Sequence, residues 1–163
     1  KKNALFQMSF NARLKKSFLG NSAKKKKELK KMLRDAKNAE YKDQIYYALG
    51  EIEFKEGNEE KGKEYLHQCA FYSTKNTRQK GMAYEKLGDM SFAKRNYVSA
   101  QKYYDSCANV IADTYPNAEA IRNKASNLAD LVVAVETATY EDSVQRIAAL
   151  SEGDRDNFLK DYI

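Results

Sequence analysis

The sequence contains few of the residues that interrupt helices. Its 163 residues include one proline and seven glycines. This scarcity, beside many lysine, glutamate, alanine and leucine residues, favours an all-helical chain over a sheet. The longest nearly apolar run, residues 131–135, is far too short to span a bilayer. Because the chain opens with Lys1-Lys2-Asn3 rather than Met and shows no secretory signal, we expect an excised part of a longer protein.

The sequence also lacks the residue sets on which catalytic sites depend. His67 is the single histidine, and its helical neighbours Lys63, Glu64 and Ala70 offer no metal-ligand spacing. No phosphate-cradling glycine loop, G-x-S-x-G motif or CxxC pair occurs. We therefore expect a protein that is not an enzyme, with no cofactor, no metal and no small-molecule substrate.

Positive charge is concentrated in the first quarter of the chain. The formal net charge is +6, but residues 1–40 carry 13 Lys/Arg against three Asp/Glu, and the remainder carries 16 against 20. Four consecutive lysines open a predicted helix, where cations oppose the helix dipole. The candidate basic patch consists of Lys24, Lys25, Lys26, Lys27, Lys30 and Lys31. It is interpreted as a solvated face or as a docking patch for an acidic partner; aromatics for stacking nucleic acid do not alternate with these lysines.

One unit of the sequence is written twice, at a spacing of 38 residues. Eight identities fall within the 25 positions of residues 46–70 and their counterparts, with no gap. The first copy supplies Tyr46, Leu49, Gly50, Phe54, Asn58, Tyr65, Cys69 and Ala70. The second supplies Tyr84, Leu87, Gly88, Phe92, Asn96, Tyr103, Cys107 and Ala108. An internal repeat of this length is typical of a solenoid.

The repeated unit resembles the tetratricopeptide repeat (TPR), whose pattern W-x₂-L-G-x₂-Y is followed by A-x₃-F and a closing proline. Tyr46 and Tyr84 stand for the first aromatic, and Phe54 and Phe92 lie one residue after the second. We predict an all-α fold, a TPR-like superhelical solenoid of about three helical hairpins with a C-terminal capping helix pair. Within one domain, 1–163, its parts are a degenerate repeat (1–39), two repeats (40–75 and 77–115) and a long helix with capping tail (117–163).

Local signals predict where several helices begin and end. Gly20 is expected to end the first helix, and Ser22 and Thr77 to cap later ones. Thr139 with Asp142 resembles a capping box that opens a new helix. Because the period exceeds the usual 34 residues by four, we expect the second helix of each unit to be extended.

The two cysteines occupy equivalent sites of successive repeats. Equivalent sites of stacked helices lie roughly 10 Å apart, which exceeds the Cα separation that a disulfide allows. Cys69 and Cys107 are therefore predicted to be small buried residues rather than a redox pair.

In TPR arrays the first helix of each unit lines the concave face. Helical phase predicts a partner-binding groove formed by Gln44, Tyr47, Glu51, Phe54, Lys55, Met82, Glu85, Asp89 and Phe92. These residues suggest an acidic floor with aromatic edges, suited to a peptide that carries Lys or Arg. The bland alternative is an ordinary solvated helix face.

Two longer segments resemble the tetratricopeptide lipoproteins of the PorW/SprE type. They are residues 31–38 (KMLRDAKN) with 41–49 (YKDQIYYAL), and residues 140–145 (YEDSVQ) with Leu150, Ser151 and Arg155. The resemblance implies a lipid-anchored, periplasmic or outer-membrane-associated protein of Bacteroidota, tied to gliding motility and type IX secretion. The expected function is a non-catalytic scaffold for protein or peptide partners. The alternatives are a cytoplasmic peptide-binding TPR adaptor and a binder of nucleic acid or anionic membrane through the basic quarter.

Overall fold

The computed structural model describes residues 2–17 and 21–162, which are helical almost throughout and contain no strand. The predicted helix end at Gly20 lies outside the described residues. The described elements are α1 (Lys2–Ser17), α2 (Ser22–Arg34), a 3₁₀ helix (Ala36–Tyr41), α3 (Lys42–Lys55), α4 (Glu59–Tyr72), α5 (Thr77–Ala93), α6 (Tyr97–Ala108), α7 (Ala118–Ala148) and α8 (Glu152–Tyr162). The prediction of an all-α fold is confirmed.

The two matching sequence units fold as the helical hairpins α3–α4 and α5–α6, which pack against each other through α4 and α5. At each crossing a glycine admits a large side chain from the second helix. A Cβ on Gly50 would lie 3.4 Å from Leu66 Cδ2, and one on Gly88 would lie 3.0 Å from Tyr104 Cδ1. These glycines therefore fix how closely the paired helices pack.

Both hairpins turn through a left-handed residue at the equivalent position. Gly57 has a φ of 80° and Arg95, 38 positions later, has a φ of 58°. The next residue of each turn, Asn58 or Asn96, donates its backbone N–H at 2.9 Å to a carbonyl five residues back. This is the Schellman geometry, which satisfies carbonyls that the helix end leaves free.

Three adjoining apolar clusters run through the molecule. The first joins α1 and α2 to α3 around Phe10 and Leu29. The second lies between the two hairpins around Leu66 and Leu87, and the third joins α6 to α7 around Tyr104. Each hairpin is therefore covered on both sides, by the elements before it and after it.

Several predicted helix ends are wrong by one residue or more. The side chain of Asn21 accepts the N–H of Lys24 at 3.0 Å, so Asn21 rather than Ser22 caps α2. Asn76 likewise caps α5 in place of Thr77, accepting the N–H of Gln79 at 3.2 Å. In both cases an asparagine precedes the predicted cap, and asparagine caps at least as well as serine or threonine.

The predicted extension of the second helices is also wrong. α4 has 14 residues, as many as α3, and α6 has 12 residues against 17 in α5. Part of the longer period lies instead in the connection at residues 73–76, which folds back on α3. There the buried Asp43 carboxylate accepts hydrogen bonds from Asn76 Nδ2 at 3.0 Å and from Ser73 Oγ at 3.4 Å.

The predicted capping helix pair is replaced by one unbroken helix. α7 runs for 31 residues, and Thr139 does not open a new helix but donates its hydroxyl to the carbonyl of Val135 at 2.8 Å. The side chain that does cap is Ser151, whose Oγ accepts the N–H of Asp154 at 3.3 Å at the start of α8. α7 buries Ala118, Ile121, Ala125 and Leu128, and its remaining 20 residues contain none that are buried.

Candidate functional site

A surface cavity of about 320 Å³ lies where α3, α5 and the connection before α7 meet. Four of the nine predicted groove residues line it, namely Tyr47 from α3 and Met82, Glu85 and Asp89 from α5. They share one wall because 82, 85 and 89 are spaced at i, i+3 and i+7 along one helix face. Helical phase thus places these four side chains correctly around one concave site.

The other five predicted groove residues lie outside this cavity. Gln44 and Glu51 are half-buried on α3, and Lys55 is exposed at its end. Phe54 packs onto Gly62, inside its own hairpin. Phe92 is exposed and contacts Tyr97 edge to face, with ring centroids 5.7 Å apart. The two phenylalanines therefore do not form the edges of the cavity.

Sequence reasoning missed five of the lining residues: Arg78, Lys86, Tyr115, Pro116 and Asn117. The last three belong to the connection between α6 and α7, where Asn117 has a φ of 58°. Gly81 allows this connection to approach α5, because a Cβ there would stand 2.4 Å from Ile111 Cγ2 and 3.5 Å from Tyr115 Cε2. The unexplained glycine was the available signal.

The expected acidic floor needs correction. Arg78 and Lys86 line the same cavity as Glu85 and Asp89, so its formal charges balance. The neighbouring Glu51 is also neutralised, because its carboxylate lies 2.6 Å from Lys86 Nζ. The cavity has mixed charge.

Hydrogen bonds hold both cavity carboxylates in place. Glu85 accepts the Tyr115 hydroxyl at 2.7 Å, and Asp89 accepts the Tyr104 hydroxyl at 2.5 Å. Lys124 of α7 lies 3.3 Å from Asp89. Since these partners come from α6, from α7 and from the connection between them, the carboxylates tie α5 to the rest of the site.

The tyrosines of the site remain protonated donors. Burial, and secondarily the charge of Glu51, raises the pKa of Tyr47 to about 12. Burial also raises the pKa of Tyr115, and its hydrogen bond to Glu85 adds to the shift. Neutral hydroxyls of this kind bind polar groups and supply no phenolate for chemistry near pH 7.

The basic patch separates into two parts. Lys26 Nζ lies 2.6 Å from Glu56 and 3.2 Å from Glu53, whose side chain is only 1% exposed. Asn58 Nδ2 donates to the same Glu53 at 2.8 Å. Lys26 therefore neutralises a buried carboxylate and holds α2 on α3.

The rest of the patch differs in its contacts. Lys24 is exposed and Lys25 half-buried. Lys27, Lys30 and Lys31, together with Arg34, line a broad hollow of about 900 Å³ on α2. Within the part of the chain that the structure describes, none of these four cations forms an ion pair.

The cysteines and the histidine have structural surroundings. Cys69 and Cys107 are free and buried, as predicted, and their thiols point to the carbonyls of Gln79 and Gly81 at 3.9 and 3.3 Å. Burial raises the pKa of both thiols to about 12. His67 is exposed and lies 3.2 Å from the Tyr103 hydroxyl. Among residues 2–17 and 21–162, no group of three or more His, Cys, Asp or Glu side chains is arranged to hold a metal ion.

Comparison with known proteins gives no relative for this chain. No protein-family model matches it, and no curated protein sequence matches it. Over the described residues, no helix combines the length and apolar character needed to cross a bilayer.

Proposed function

We propose that the chain is a TPR-like helical-repeat scaffold, without catalytic activity, that binds a peptide segment of a protein partner on the face formed by α3 and α5. The support for the repeat is the equivalence of the two hairpins. Both place a glycine at the helix crossing, both turn through a left-handed residue, and both bury a cysteine at the same position. Repeat proteins commonly bind partners along the concave face that such stacking creates.

The observation that carries the proposal is the cavity lined from two successive hairpins and the following connection. Its volume, about 320 Å³, is at the small end of ligand pockets, and this suits one large side chain of an extended peptide. Tyr47 and Met82 offer apolar contact, whereas Asp89 is exposed beside them. The favoured ligand is therefore a peptide with an apolar anchor next to a basic residue.

The test is a selection of random peptides on the full 163-residue chain, followed by titration calorimetry of the selected peptide. Met82→Lys is expected to weaken binding at least tenfold, because it places a cation in the cavity. Met90→Lys is the matched control, since Met90 is a half-buried methionine of the same helix that does not line the cavity. Failure to select any peptide, or equal loss in both variants, contradicts the proposed site.

The cellular setting is a separate proposal. The resemblance of residues 31–49 and 140–155 to PorW/SprE-type lipoproteins supports a place in a periplasmic secretion or motility machine. Fractionation of the source cells tests it, with an antibody raised against this chain. Recovery with the outer membrane supports that setting, and recovery in the cytoplasm supports the alternative of a cytoplasmic adaptor.

The further alternative, a binder of nucleic acid or anionic membrane, is supported by the four unpaired cations of α2. Its test is binding to a single-stranded oligonucleotide and to vesicles containing phosphatidylserine. If the phosphates are neutralised by these cations, affinity falls steeply as salt rises. Reversing Lys27, Lys30 and Lys31 to glutamate then abolishes binding.

A further inference from the structure

The second half of α7 presents an apolar stripe that the described residues leave uncovered. We call residues 129–148 the acidic arm. Val133, Tyr140 and Val144 lie on one face of this arm at i, i+7 and i+11, and their exposed fractions are 63%, 70% and 45%. An apolar stripe along one face of a helix is typical of a face that packs on another surface.

Carboxylates border this stripe on both sides. By helical phase Asp130 and Glu141 lie on one side of it and Glu136 on the other. All three are exposed, and none has an ion-pair partner within residues 2–17 and 21–162. Residues 129–162 together carry eight Asp/Glu against three Lys/Arg. The arm therefore has an apolar centre and an acidic rim.

The opposite end of the molecule carries the complementary surface. Lys27, Lys30, Lys31 and Arg34 form one stripe of α2 at i, i+3, i+4 and i+7, opposite the side on which Leu29 is buried. Long basic side chains offer both parts of the match, since their methylene stems cover apolar surface while their charged ends reach carboxylates. The basic stripe of α2 thus suits the stripe and rim of the acidic arm.

The two surfaces belong to opposite ends of one chain. α2 packs on α3 and α7 packs on α6, and the hairpins α3–α4 and α5–α6 lie between them. We propose that the acidic arm of one copy docks on the basic stripe of α2 in a second copy. Such a head-to-tail contact leaves one arm and one basic stripe free at the two ends of every assembly, so it propagates beyond the dimer unless the ring closes.

The test is sedimentation velocity of the full 163-residue chain over a range of concentrations and salt. The wild-type chain is expected to form a concentration-dependent series of oligomers, and the association constant is expected to fall at least tenfold between 50 and 500 mM NaCl, because exposed ion pairs are screened. A basic-stripe variant (Lys27→Glu, Lys30→Glu and Lys31→Glu) is expected to be monomeric. An arm variant (Asp130→Lys, Glu136→Lys and Glu141→Lys) is expected to be monomeric as well.

Mixing the two variants separates a direct contact from a general effect of charge. The stripe variant has two acidic surfaces and the arm variant two basic ones, so the mixture is expected to associate although neither variant does alone. The control is Lys61→Glu, Lys75→Glu and Lys102→Glu, which reverses three exposed lysines elsewhere and is expected to associate as the wild type does. Thermal unfolding followed by circular dichroism checks that every variant is folded.

Three outcomes overturn the proposal. They are a wild-type chain that stays monomeric at all concentrations, variants that still self-associate, and a mixture that fails to associate. Binding of an oligonucleotide or of anionic vesicles by a chain that remains monomeric also overturns it, because the basic stripe then serves a different partner.

Discussion

Arg95 occupies a left-handed backbone position that the preceding hairpin fills with Gly57. The φ values are 58° and 80°, and a residue with a Cβ loses about 1–2 kcal/mol in this conformation. Replacing Arg95 with glycine removes the strain, partly offset by the greater freedom of glycine in the unfolded chain. We expect Arg95→Gly to raise the free energy of unfolding by about 0.5–1 kcal/mol in urea titration.

Gly57→Ala is the reciprocal control for this turn. A Cβ at Gly57 meets nothing within 4 Å, so any loss of stability reports the backbone conformation and not a clash. We expect a loss of about 1 kcal/mol. If both substitutions lower stability equally, the two turns do not share the same geometry.

Asp43 is a second residue whose surroundings predict a measurable effect. Its side chain is 2% exposed, and burial raises its pKa above the usual 3.8 despite the hydrogen bonds from Gln44, Asn76 and Ser73. Because the folded-state pKa is higher than the unfolded one, protonation stabilises the folded state. This contribution is fully present below pH 3.8 and is lost as the pH rises through the folded pKa.

Asp43→Asn removes this titration while it keeps a side chain of the same shape. Between pH 4 and 7 the stability of the wild type, measured relative to the variant by urea titration, is therefore expected to increase as the pH falls. A difference between the two that does not change with pH shows that Asp43 titrates as an exposed carboxyl does.

At the scale of elements, the attachment of α2 to α3 depends on Lys26. Its ammonium neutralises Glu53, which is 1% exposed, so Lys26→Met leaves a buried carboxylate without a cation. We expect a loss of about 2 kcal/mol, below the full cost of breaking a buried pair because Lys26 itself is 23% exposed. Lys27→Met, next in the chain and free of ion pairs in the described structure, is expected to be nearly neutral. Equal effects on the urea midpoint contradict the division of the patch.

Periodicity predicts elements more reliably than it predicts their ends or their loops. The hydrophobic spacing of residues 46–108 indicates both hairpins and four lining residues of the cavity. A Thr-x-x-Asp pattern at Thr139 equally suits a cap and a mid-helix position, and here the hydroxyl bonds the Val135 carbonyl. Tyr115, Pro116 and Asn117 reach the cavity only because Gly81 admits the connection, and this tertiary contact has no period in the sequence.

At the scale of the whole molecule, α7 has two parts with different roles. Its first part covers the third cluster, with Ile121 2% and Leu128 6% exposed, and its second part is the acidic arm. A helical array needs a final element that covers its last apolar face. The first part supplies this cover, whereas the arm and α8 contribute no buried residue among those described.

Two truncations test this division. A chain that ends at residue 129 keeps every buried residue of α7, so its melting temperature is expected to stay within a few degrees of the full chain. A chain that ends at residue 116 exposes Tyr104 and Ile111, and it is expected to melt far lower or to aggregate, since each large apolar side chain that loses its cover costs about 1.5–3 kcal/mol. The chain of 129 residues, lacking the arm, is also expected to be monomeric in sedimentation. If it unfolds as readily as the shorter chain, the arm stabilises its own molecule and is not a surface held for a second copy.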